Sequence, residues 1–355
     1  MKLRGRFIEV FCSLFVMLAS CNRAANNEYV SPKFASNIAI ELELVSDDIG
    51  FNAVNDFYVY KDYLIIVAYD ARSGKFLHVY DKLTGKSINS GIFRGRGPGE
   101  IISGAMNTSF NTDTGIVEMW DDDKCSWLYI DIDKFVENMM HDAVSEFYSG
   151  FSSHWVSRRI PLNGGRTLNI YNPSYVQDIA LFDRMTITDE TNDILGSLKE
   201  FPDMEPEERW NVYNSVEISL SEDNTTLVTG TSYGAILEIF SLDGDAVSCE
   251  YTGKFAPCAL TEGKSGIDAT NTCYGFADIE IVDKKIVAVY HGGRYVKDEP
   301  FLTDLAIWSL KGKALKKIET NYKLKRLAYD YDNDMLYLVV SDDSGTYIAR
   351  SEDVL

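Results

Sequence analysis

The chain has 355 residues, of which 45% are hydrophobic and 12% aromatic, so it can bury a large core. Its 54 acidic side chains outnumber its 34 lysines and arginines, which gives a formal net charge of −20. Such a surface repels nucleic acid and anionic lipid headgroups, so we predict neither as a partner. After the first 20 residues, no segment approaches the roughly 20 apolar residues that a membrane-spanning helix needs.

The first 21 residues have the pattern of an export signal. Three basic side chains precede a short apolar run, which ends in Leu18-Ala-Ser-Cys21. This order predicts a signal peptide over residues 1–20. The spacing resembles a bacterial lipobox, and that resemblance implies cleavage before Cys21, acylation of that cysteine by chains such as palmitate, and stable anchoring by more than one chain. An ordinary signal peptide is the alternative.

The lipobox resemblance also suggests where the protein resides and how it is divided. Cleavage would remove three basic and one acidic side chain and leave a net charge of −22, so membrane contact would come from lipid. Residues 21–36 are expected to form the tether and residues 37–355 a single folded domain. Because residues 22–28 contain no compact acidic run, we expect an outer membrane lipoprotein on the periplasmic side rather than the cell surface.

One unit recurs along the rest of the chain: an alternating strand, a tight polar turn and a second strand dense in β-branched or aromatic residues. It occurs six times, in residues 57–69, 108–120, 155–171, 216–230, 279–290 and 327–340. The second strands begin about 50 to 60 residues apart, and third and fourth strands follow in several units after glycine-containing turns. Four antiparallel strands in each of six units predict an all-β fold, a six-bladed β-propeller.

Two other segments lie outside this pattern. Residues 38–45 alternate apolar and polar side chains and belong to no unit, whereas the last unit ends after three strands. We therefore predict that this N-terminal strand completes the last blade and closes the ring, which removes exposed sheet edges. Helical spacing predicts a short amphipathic helix beside the second blade, from Phe135, Val136, Met139, Met140, Val144 and Phe147. Residues 206–213 predict a second short helix.

The loop after the first blade reads Arg94-Gly-Arg96-Gly-Pro-Gly-Glu100. Here the chain resembles the six-bladed, TolB-like propeller lipoproteins of Gram-negative gut anaerobes, in which a Gly-x-Gly-Pro-Gly-Glu loop follows the first blade. The resemblance implies a fold and a location in the cell envelope, and it indicates little about the biochemical activity of the protein.

This loop and its predicted neighbours supply the candidate binding residues. Arg94 and Arg96 either pair with carboxylates of adjacent blades or present guanidinium groups to carboxylates, phosphates or sulfates at the channel mouth. The same face is expected to carry the loop run from His291 to Tyr295, for which a solvated loop is the alternative. The predicted ligand-binding set is Arg94, Arg96, Glu100, Tyr233, His291, Arg294 and Tyr295, and the predicted partner is an anionic glycan or peptide, or an envelope protein.

Metal and disulfide sites are less clearly indicated. Acidic groups at residues 121–123 and 330–334 raise calcium as an alternative to no cofactor, because oxygen ligands at close spacing suit that ion. The second group lacks the glycine and the distal glutamate of a calcium loop. Cys258 and Cys273 are the best-placed pair for a disulfide in an exported protein, and isolated thiols are the alternative.

Signals for catalysis are sparse in this sequence. Its four histidines are scattered, and its Gly-x-Ser-x-Gly run, residues 230–234, lies between two predicted strands rather than at the strand-to-helix turn that a nucleophile elbow requires. We therefore predict a recognition or scaffold protein without enzymatic activity. The alternative is a propeller hydrolase or lyase that acts on an envelope or dietary polymer through channel residues such as His291.

Overall fold

The structure, a computed structural model, describes residues 29–102, 108–121, 123–148, 156–171, 183–263, 266–294, 303–352 and 354. In this part of the chain, 25 strands form six sheets that are arranged as a propeller. The predicted all-β, six-bladed fold is therefore confirmed. No helix among these residues has both the length and the apolar character needed to cross a membrane.

Each blade is an antiparallel sheet whose strands follow one another from the channel to the rim. Blade one contains β3 (Asp56–Tyr60), β4 (Tyr63–Asp70), β5 (Lys75–Asp81) and β6 (Ser87–Phe93). Blade two contains β7 (Thr108–Asn111), β8 (Ile116–Asp121), β9 (Ser126–Asp131) and β10 (Val144–Tyr148). Blade three contains β11 (Val156–Leu162), β12 (Arg166–Tyr171), β13 (Met185–Thr188) and β14 (Ile194–Leu198).

The remaining blades repeat this arrangement. Blade four contains β15 (Val216–Leu220), β16 (Thr226–Thr231), β17 (Ile236–Asp243) and β18 (Ala246–Lys254). Blade five contains β19 (Cys273–Val282), β20 (Lys285–Arg294), β21 (Asp304–Ser309) and β22 (Ala314–Glu319). Blade six contains β23 (Lys323–Asp330), β24 (Met335–Ser341) and β25 (Thr346–Ser351), and its fourth strand comes from the N-terminal segment.

The N-terminal segment closes the ring as predicted, and it contacts two blades. Its strand β2 (Glu43–Leu44) pairs with β25 of blade six, where the Glu43 carboxylate accepts two hydrogen bonds from Arg350 at 2.8 and 2.7 Å. The preceding strand β1 (Ser36–Ala39) adds a fifth, parallel strand to blade five beside β22. Leu42, between them, is buried in the core shared by blades five and six. Closure therefore combines strand pairing with burial of an apolar side chain.

Residues just before β1 also pack on the propeller. The Val30 amide donates to the Lys254 carbonyl at 2.9 Å, and the Phe34 ring lies 5.2 Å from the ring of Trp308. The Tyr29 hydroxyl donates to Glu208 at 2.7 Å. Part of the segment expected to act as a tether is thus bound along blades four and five.

The dense second strands are buried on both faces, because adjacent blades stack against each other. In β4, Ile65 and Val67 belong to the core between blades one and two, whereas Leu64 and Ile66 belong to the core between blades six and one. Successive side chains of a strand point to opposite faces, so a strand covered on both sides needs a continuous apolar run. This geometry explains the unit that recurs in the sequence.

The helix predicted beside blade two is only partly correct. Two short helices, α1 (Ile132–Val136) and α2 (Met140–Ala143), precede the outer strand β10. Val144 and Phe147 lie in that strand, where Phe147 is opposite Trp127 of β9. Backbone pairing along the blade edge therefore overrides their helical spacing. The second predicted helix is present as α3 (Pro206–Val212).

The disulfide considered between Cys258 and Cys273 is not formed. None of the four cysteines within the described residues is in a disulfide. Cys258 is buried, with its Sγ 3.9 Å from the Thr272 hydroxyl, and burial raises the pKa of its thiol to about 11. The alternative of isolated thiols describes the structure.

Candidate functional site

A cavity of about 670 Å³ occupies the central channel. Its walls are the innermost strands of all six blades, together with the first hairpins of several of them. Along each inner strand, the residues that line the cavity start at about the same depth in the channel and continue toward the first hairpin. The first lining residues include Asp56, Thr108, Arg158, Glu217 and Asp278. The side chains at that depth therefore form the floor of the cavity.

Arg158 of blade three ties one half of this floor together. Its guanidinium group donates to Asp56 of blade one, with Nη2 3.3 Å from Oδ1 and Nη1 3.4 Å from Oδ2. It also donates to the carbonyl of Thr108 in blade two. Although burial disfavours the charged form, the neighbouring Asp56 raises the pKa of Arg158, so this group stays ionised. Three blades thus meet at one fixed positive charge.

Arg326 of blade six ties the other half together. Its Nη1 lies 3.2 Å from the Glu217 carboxylate of blade four, and the same nitrogen donates to the Ala277 carbonyl of blade five. Its Nε donates to the Val54 carbonyl, just before blade one, at 3.1 Å. Between them, the two arginines contact residues of all six blades. We call Asp56, Arg158, Glu217 and Arg326 the charged belt.

Two half-buried carboxyl groups, Asp278 and Glu280, line the cavity without an ion pair to any described residue. Asp278 accepts hydrogen bonds from the amides of Leu327 at 2.8 Å and Ile279 at 2.9 Å. Glu280 accepts one from the amide of Tyr329 at 3.0 Å. Burial raises the pKa of Asp278 to about 7 despite the opposing effect of Arg326, and burial together with Asp278 raises the pKa of Glu280 well above its usual value. These groups therefore hold protons at pH values where ordinary carboxyls are ionised.

Aromatic rings make up much of the remaining wall. Tyr58 and Tyr60 of blade one pack against Phe110 of blade two, with ring centroids 5.2 and 5.4 Å apart. On blade six, Tyr329 and Tyr331 lie edge to face at 5.0 Å. A concave site with apolar rings and a few buried polar groups has the composition of a small-molecule binding site.

Three of the predicted binding residues lie in the loop between blades one and two. Arg94 and Arg96 are exposed, and neither forms an ion pair with a described residue. Arg94 donates to the Ile102 carbonyl at 3.2 Å and lies 5.6 Å from the ring of Tyr69. The Glu100 carboxylate turns back into its own loop and accepts the Gly97 amide at 2.7 Å. Glu100 therefore has a structural role here.

The glycines of this loop are explained by that inward carboxylate. A Cβ atom at Gly95 would lie 2.0 Å from Glu100 Oε2, and one at Gly97 would lie 3.0 Å from it. Gly99 has φ of +71°, a conformation that side chains other than glycine's rarely adopt. The Gly-x-Gly-Pro-Gly-Glu pattern thus encodes a compact turn around one carboxylate.

Blade two holds the loop from outside. The Lys124 ammonium donates to the carbonyls of Gly97 and Glu100, both at 3.0 Å, and forms a buried ion pair with Glu146 at 2.5 Å. The Glu146 carboxylate also accepts the Gly99 amide at 3.1 Å. These contacts make the loop a rigid connection between the first two blades.

The other predicted residues lie on blades four and five. The Tyr233 ring is 5.5 Å from Tyr274, which is 6.0 Å from the ring of His291. Burial lowers the pKa of His291, whose Nδ1 accepts the Gly293 amide at 3.0 Å. Arg294, at the end of β20, is exposed. Tyr295 and the lipidation candidate Cys21 lie outside the described residues.

The structure therefore distributes the predicted binding residues over two regions of the ring. Neither region includes the channel cavity, which none of the six described members of the set lines. The cavity residues carry a signal that sequence reasoning missed: a charged residue within an inner strand, as in Arg158, Glu217, Asp278 and Arg326. Such a residue is out of place on a strand face that stacks against a blade, and it instead points to the channel.

The aspartates considered for calcium accept hydrogen bonds from backbone amides or pair with a buried lysine. Asp121 accepts the amides of Ile102 at 2.7 Å and Asp123 at 3.0 Å. Asp330 forms a buried ion pair with Lys82 of blade one at 2.7 Å, which joins the first and last blades. Within the described ranges, no three His, Cys, Asp or Glu side chains are grouped to hold a metal ion.

Comparisons with known proteins agree with this architecture. A family model described as TolB-like 6-blade propeller-like matches residues 55–332. A member of the DUF4221 family from Bacteroides vulgatus is similar in structure, with a TM-score of 0.54, 8% sequence identity, and coverage of 91% of this chain and 97% of the other. A putative exported protein from Bacteroides fragilis is also similar in structure, with a TM-score of 0.53 and 13% sequence identity. This match covers 89% of this chain and 97% of the other.

An enzyme also has the same fold. A gluconolactonase from Xanthomonas campestris matches with a TM-score of 0.51, 8% identity, and coverage of 87% of this chain and 88% of the other. No curated protein is significantly similar to the chain in sequence. Because these identities are low, the structural matches establish the fold alone.

Proposed function

The chain belongs to the TolB-like six-bladed propeller family, and we propose that it is a recognition protein that binds a small polar ligand in its central channel. The observation that carries this proposal is the cavity of about 670 Å³, whose size lies within the range of small-molecule sites. Its lining combines aromatic rings with buried charged groups.

The charged belt supports a binding role because it fixes the floor of the site. Arg158 and Arg326 hold the inner strands by contacts to side chains and to backbone carbonyls. A site that is fixed before binding loses little conformational entropy when the ligand arrives. The four belt residues already pair with one another, so they are placed to support a bound ligand rather than to react with it.

We further propose that the protein is exported and anchored by lipid at Cys21, on the periplasmic side of the outer membrane. The supporting observations are the signal pattern of residues 1–21 and the description of one structural neighbour as an exported protein. Tyr29 is bound to Glu208 beside blade four. Because eight residue steps span at most about 28 Å, an anchor at Cys21 would keep this side of the propeller near the membrane.

An anionic ligand at the loop between blades one and two is a second candidate. The favouring observation is that Arg94 and Arg96 are exposed and have no ion pair with a described residue. Guanidinium groups in that state can bind a carboxylate or phosphate. In this candidate, a glycan, a peptide or an envelope protein binds at the loop, outside the channel.

A panel binding assay tests the channel proposal. The full chain is purified in detergent and dialysed against amines, amino acids, uronic acids and neutral sugars, and both binding and chemical change are followed by mass spectrometry. We expect at least one member to bind unchanged, and Thr112→Trp, which places a large ring at the hairpin wall of the cavity, to abolish that binding without lowering the melting temperature.

The other outcomes contradict the proposal in different ways. Chemical conversion of a panel member would favour the hydrolase or lyase. Binding that survives Thr112→Trp and is lost in Arg94→Ala would move the site to the loop between blades one and two. A Cys21→Ser variant that still sediments with membranes would contradict lipid anchoring.

A further inference from the structure

We infer that the channel cavity takes an organic cation, a ligand that carries one or more ammonium groups. This inference rests on the proposed function of the channel as the ligand site and names the class of ligand. Three features of the wall support it: its charge balance, the contacts of two carboxyl groups and the aromatic rings beside them.

The wall of the cavity has a large excess of acidic groups. Among the residues that the structure describes, eight carboxyl groups line it, whereas two basic side chains do, Lys61 and Arg158. Both basic groups are already paired, Lys61 with Asp133 at 2.7 Å and Arg158 with Asp56 at 3.3 Å. Arg326 and Lys82, which are not among the lining residues, pair with Glu217 and Asp330. The cations of the protein therefore leave part of the acidic wall without a counter-charge.

Five of these carboxyls form no ion pair with a described residue, and Asp278 and Glu280 are the half-buried ones among them, whereas Asp113, Glu222 and Asp332 are exposed. Asp278 and Glu280 are two residues apart on β19, so both side chains project from the same face of the strand into the channel. Each accepts backbone amides from β23, which orient the carboxyl groups and leave their charge without a cation within salt-bridge distance among the described residues. An ammonium group bound between the two carboxyls would supply the missing positive charge.

The rings around these carboxyls suit a cation. Tyr329 and Tyr331 of blade six line the cavity beside Glu280, and Tyr58 and Tyr60 line it on blade one. One of these rings already binds an ammonium group of the protein, since the Lys61 Nζ lies 4.7 Å from the ring centroid of Tyr60. Carboxylates combined with aromatic faces are a common way of recognising amines.

The ionisation of the wall supports this class of ligand and adds a measurable consequence. Burial raises the pKa of Asp278 to about 7 and raises that of Glu280 well above its usual value. The groups that face them are Arg326 and Tyr329 of β23, Glu217 of β15, and Asp56 and Arg158 of β3 and β11. A bound ammonium group favours the ionised carboxyl, so binding should release protons. Amine affinity should accordingly rise between pH 6 and pH 8, where an alkylamine itself remains protonated.

Putrescine and 1,4-butanediol form a matched pair of probes, because they differ only in having ammonium or hydroxyl groups at the ends of one chain. Calorimetric titration of the full chain at pH 8 should detect putrescine and not the diol. Asp278→Asn and Glu280→Gln, which keep the shape and the acceptor oxygen, should each weaken putrescine at least about tenfold. Asp245→Asn, which removes one exposed charge on the hairpin between β17 and β18, should change the affinity less than twofold.

Proton release gives a readout that does not depend on variants. Titration of the wild-type chain at pH 7 in two buffers of different ionisation enthalpy should give different heats for putrescine. Equal affinity for the diol, full affinity in both carboxyl variants, or heats that do not depend on the buffer would each overturn the inference. If only neutral panel members bind, and Thr112→Trp abolishes that binding, the inference fails while the proposed function of the channel stands.

Discussion

Arg326 of blade six and Glu217 of blade four are joined across the channel, with 3.2 Å between Nη1 and Oε1, although blade five lies between their blades. Adjacent blades of a propeller are held by apolar stacking, which acts between neighbours only. A contact between the fourth and sixth blades, like that of Arg158 with Asp56 between the third and first, instead fixes the ring as a whole.

We predict that Arg326→Met lowers the free energy of unfolding by about 2 to 4 kcal/mol, because it leaves Glu217 and two carbonyl groups without their donor. Lys61→Met is the control, since it breaks an exposed ion pair with Asp133 and should cost less than about 1 kcal/mol. Chemical denaturation measures both. Equal losses for the two variants would show that the belt does not stabilise the ring.

The loop between blades one and two allows a double-mutant cycle. Gly95→Ala should destabilise the protein by about 1 to 3 kcal/mol, because its Cβ would lie 2.0 Å from the Glu100 carboxylate. In a Glu100→Ala background, Gly95→Ala should lower the free energy of unfolding much less. Gly266→Ala, where the nearest atom would be 3.9 Å away, serves as the control. Additive losses for Gly95 and Glu100 would contradict the described turn.

Ring closure is tested by two leucines of the same segment. Leu42 is 9% exposed and packs in the core of blades five and six, whereas Leu44 is 40% exposed on β2. We expect Leu42→Ala to cost about 2 to 4 kcal/mol and Leu44→Ala less than about 1 kcal/mol, as measured by denaturant unfolding. If both variants unfold like the wild type, the segment does not hold the ring closed.

Much of this fold could be predicted because its physical cause is local. A strand buried on both faces must be continuously apolar, so runs such as Tyr63–Asp70 identify the second strands of the blades. The strands that the sequence did not reveal have no such continuous apolar run. Strand β13 (Met185–Thr188) is short, and in β10 the positions of Val144 and Phe147 also fit a helix.

The channel could not be predicted in the same way. Arg158 and Asp56 are 102 residues apart, and Arg326 and Glu217 are 109 apart, so their pairing depends on how six blades meet around one axis. The charged residue in each inner strand is visible in the sequence, but its partner is not. In the glycine-rich loop, the glycines and the proline indicate unusual turns, whereas the inward position of Glu100 is not visible in the sequence.

Stability should also depend on pH through the channel carboxyls. Because the pKa of Asp278 is raised to about 7 in the folded protein, the native state holds a proton that the unfolded chain releases from about pH 4 upward. Stability should therefore fall as the pH rises from 5 to 7.5, by at most about 1.4 kcal/mol per pH unit for one proton.

Denaturant unfolding of Asp278→Asn across this range checks the assignment. The variant cannot ionise, so its stability should fall less steeply than that of the wild type. Asp70→Asn is the control: despite burial, hydrogen bonds from Ser73 and Arg72 lower the pKa of Asp70 to about 2, so its contribution is lost only at acidic pH. An unchanged slope in Asp278→Asn would show that this carboxyl is ionised throughout.

The central claim is that the channel binds an organic cation, and a crystal structure of the full chain grown at pH 8 with putrescine tests it most directly. The account predicts that the diamine lies in the cavity, with an ammonium nitrogen within hydrogen-bonding distance of Asp278 or Glu280 and beside the ring of Tyr329. An empty channel, with the diamine bound elsewhere on the protein, would contradict it.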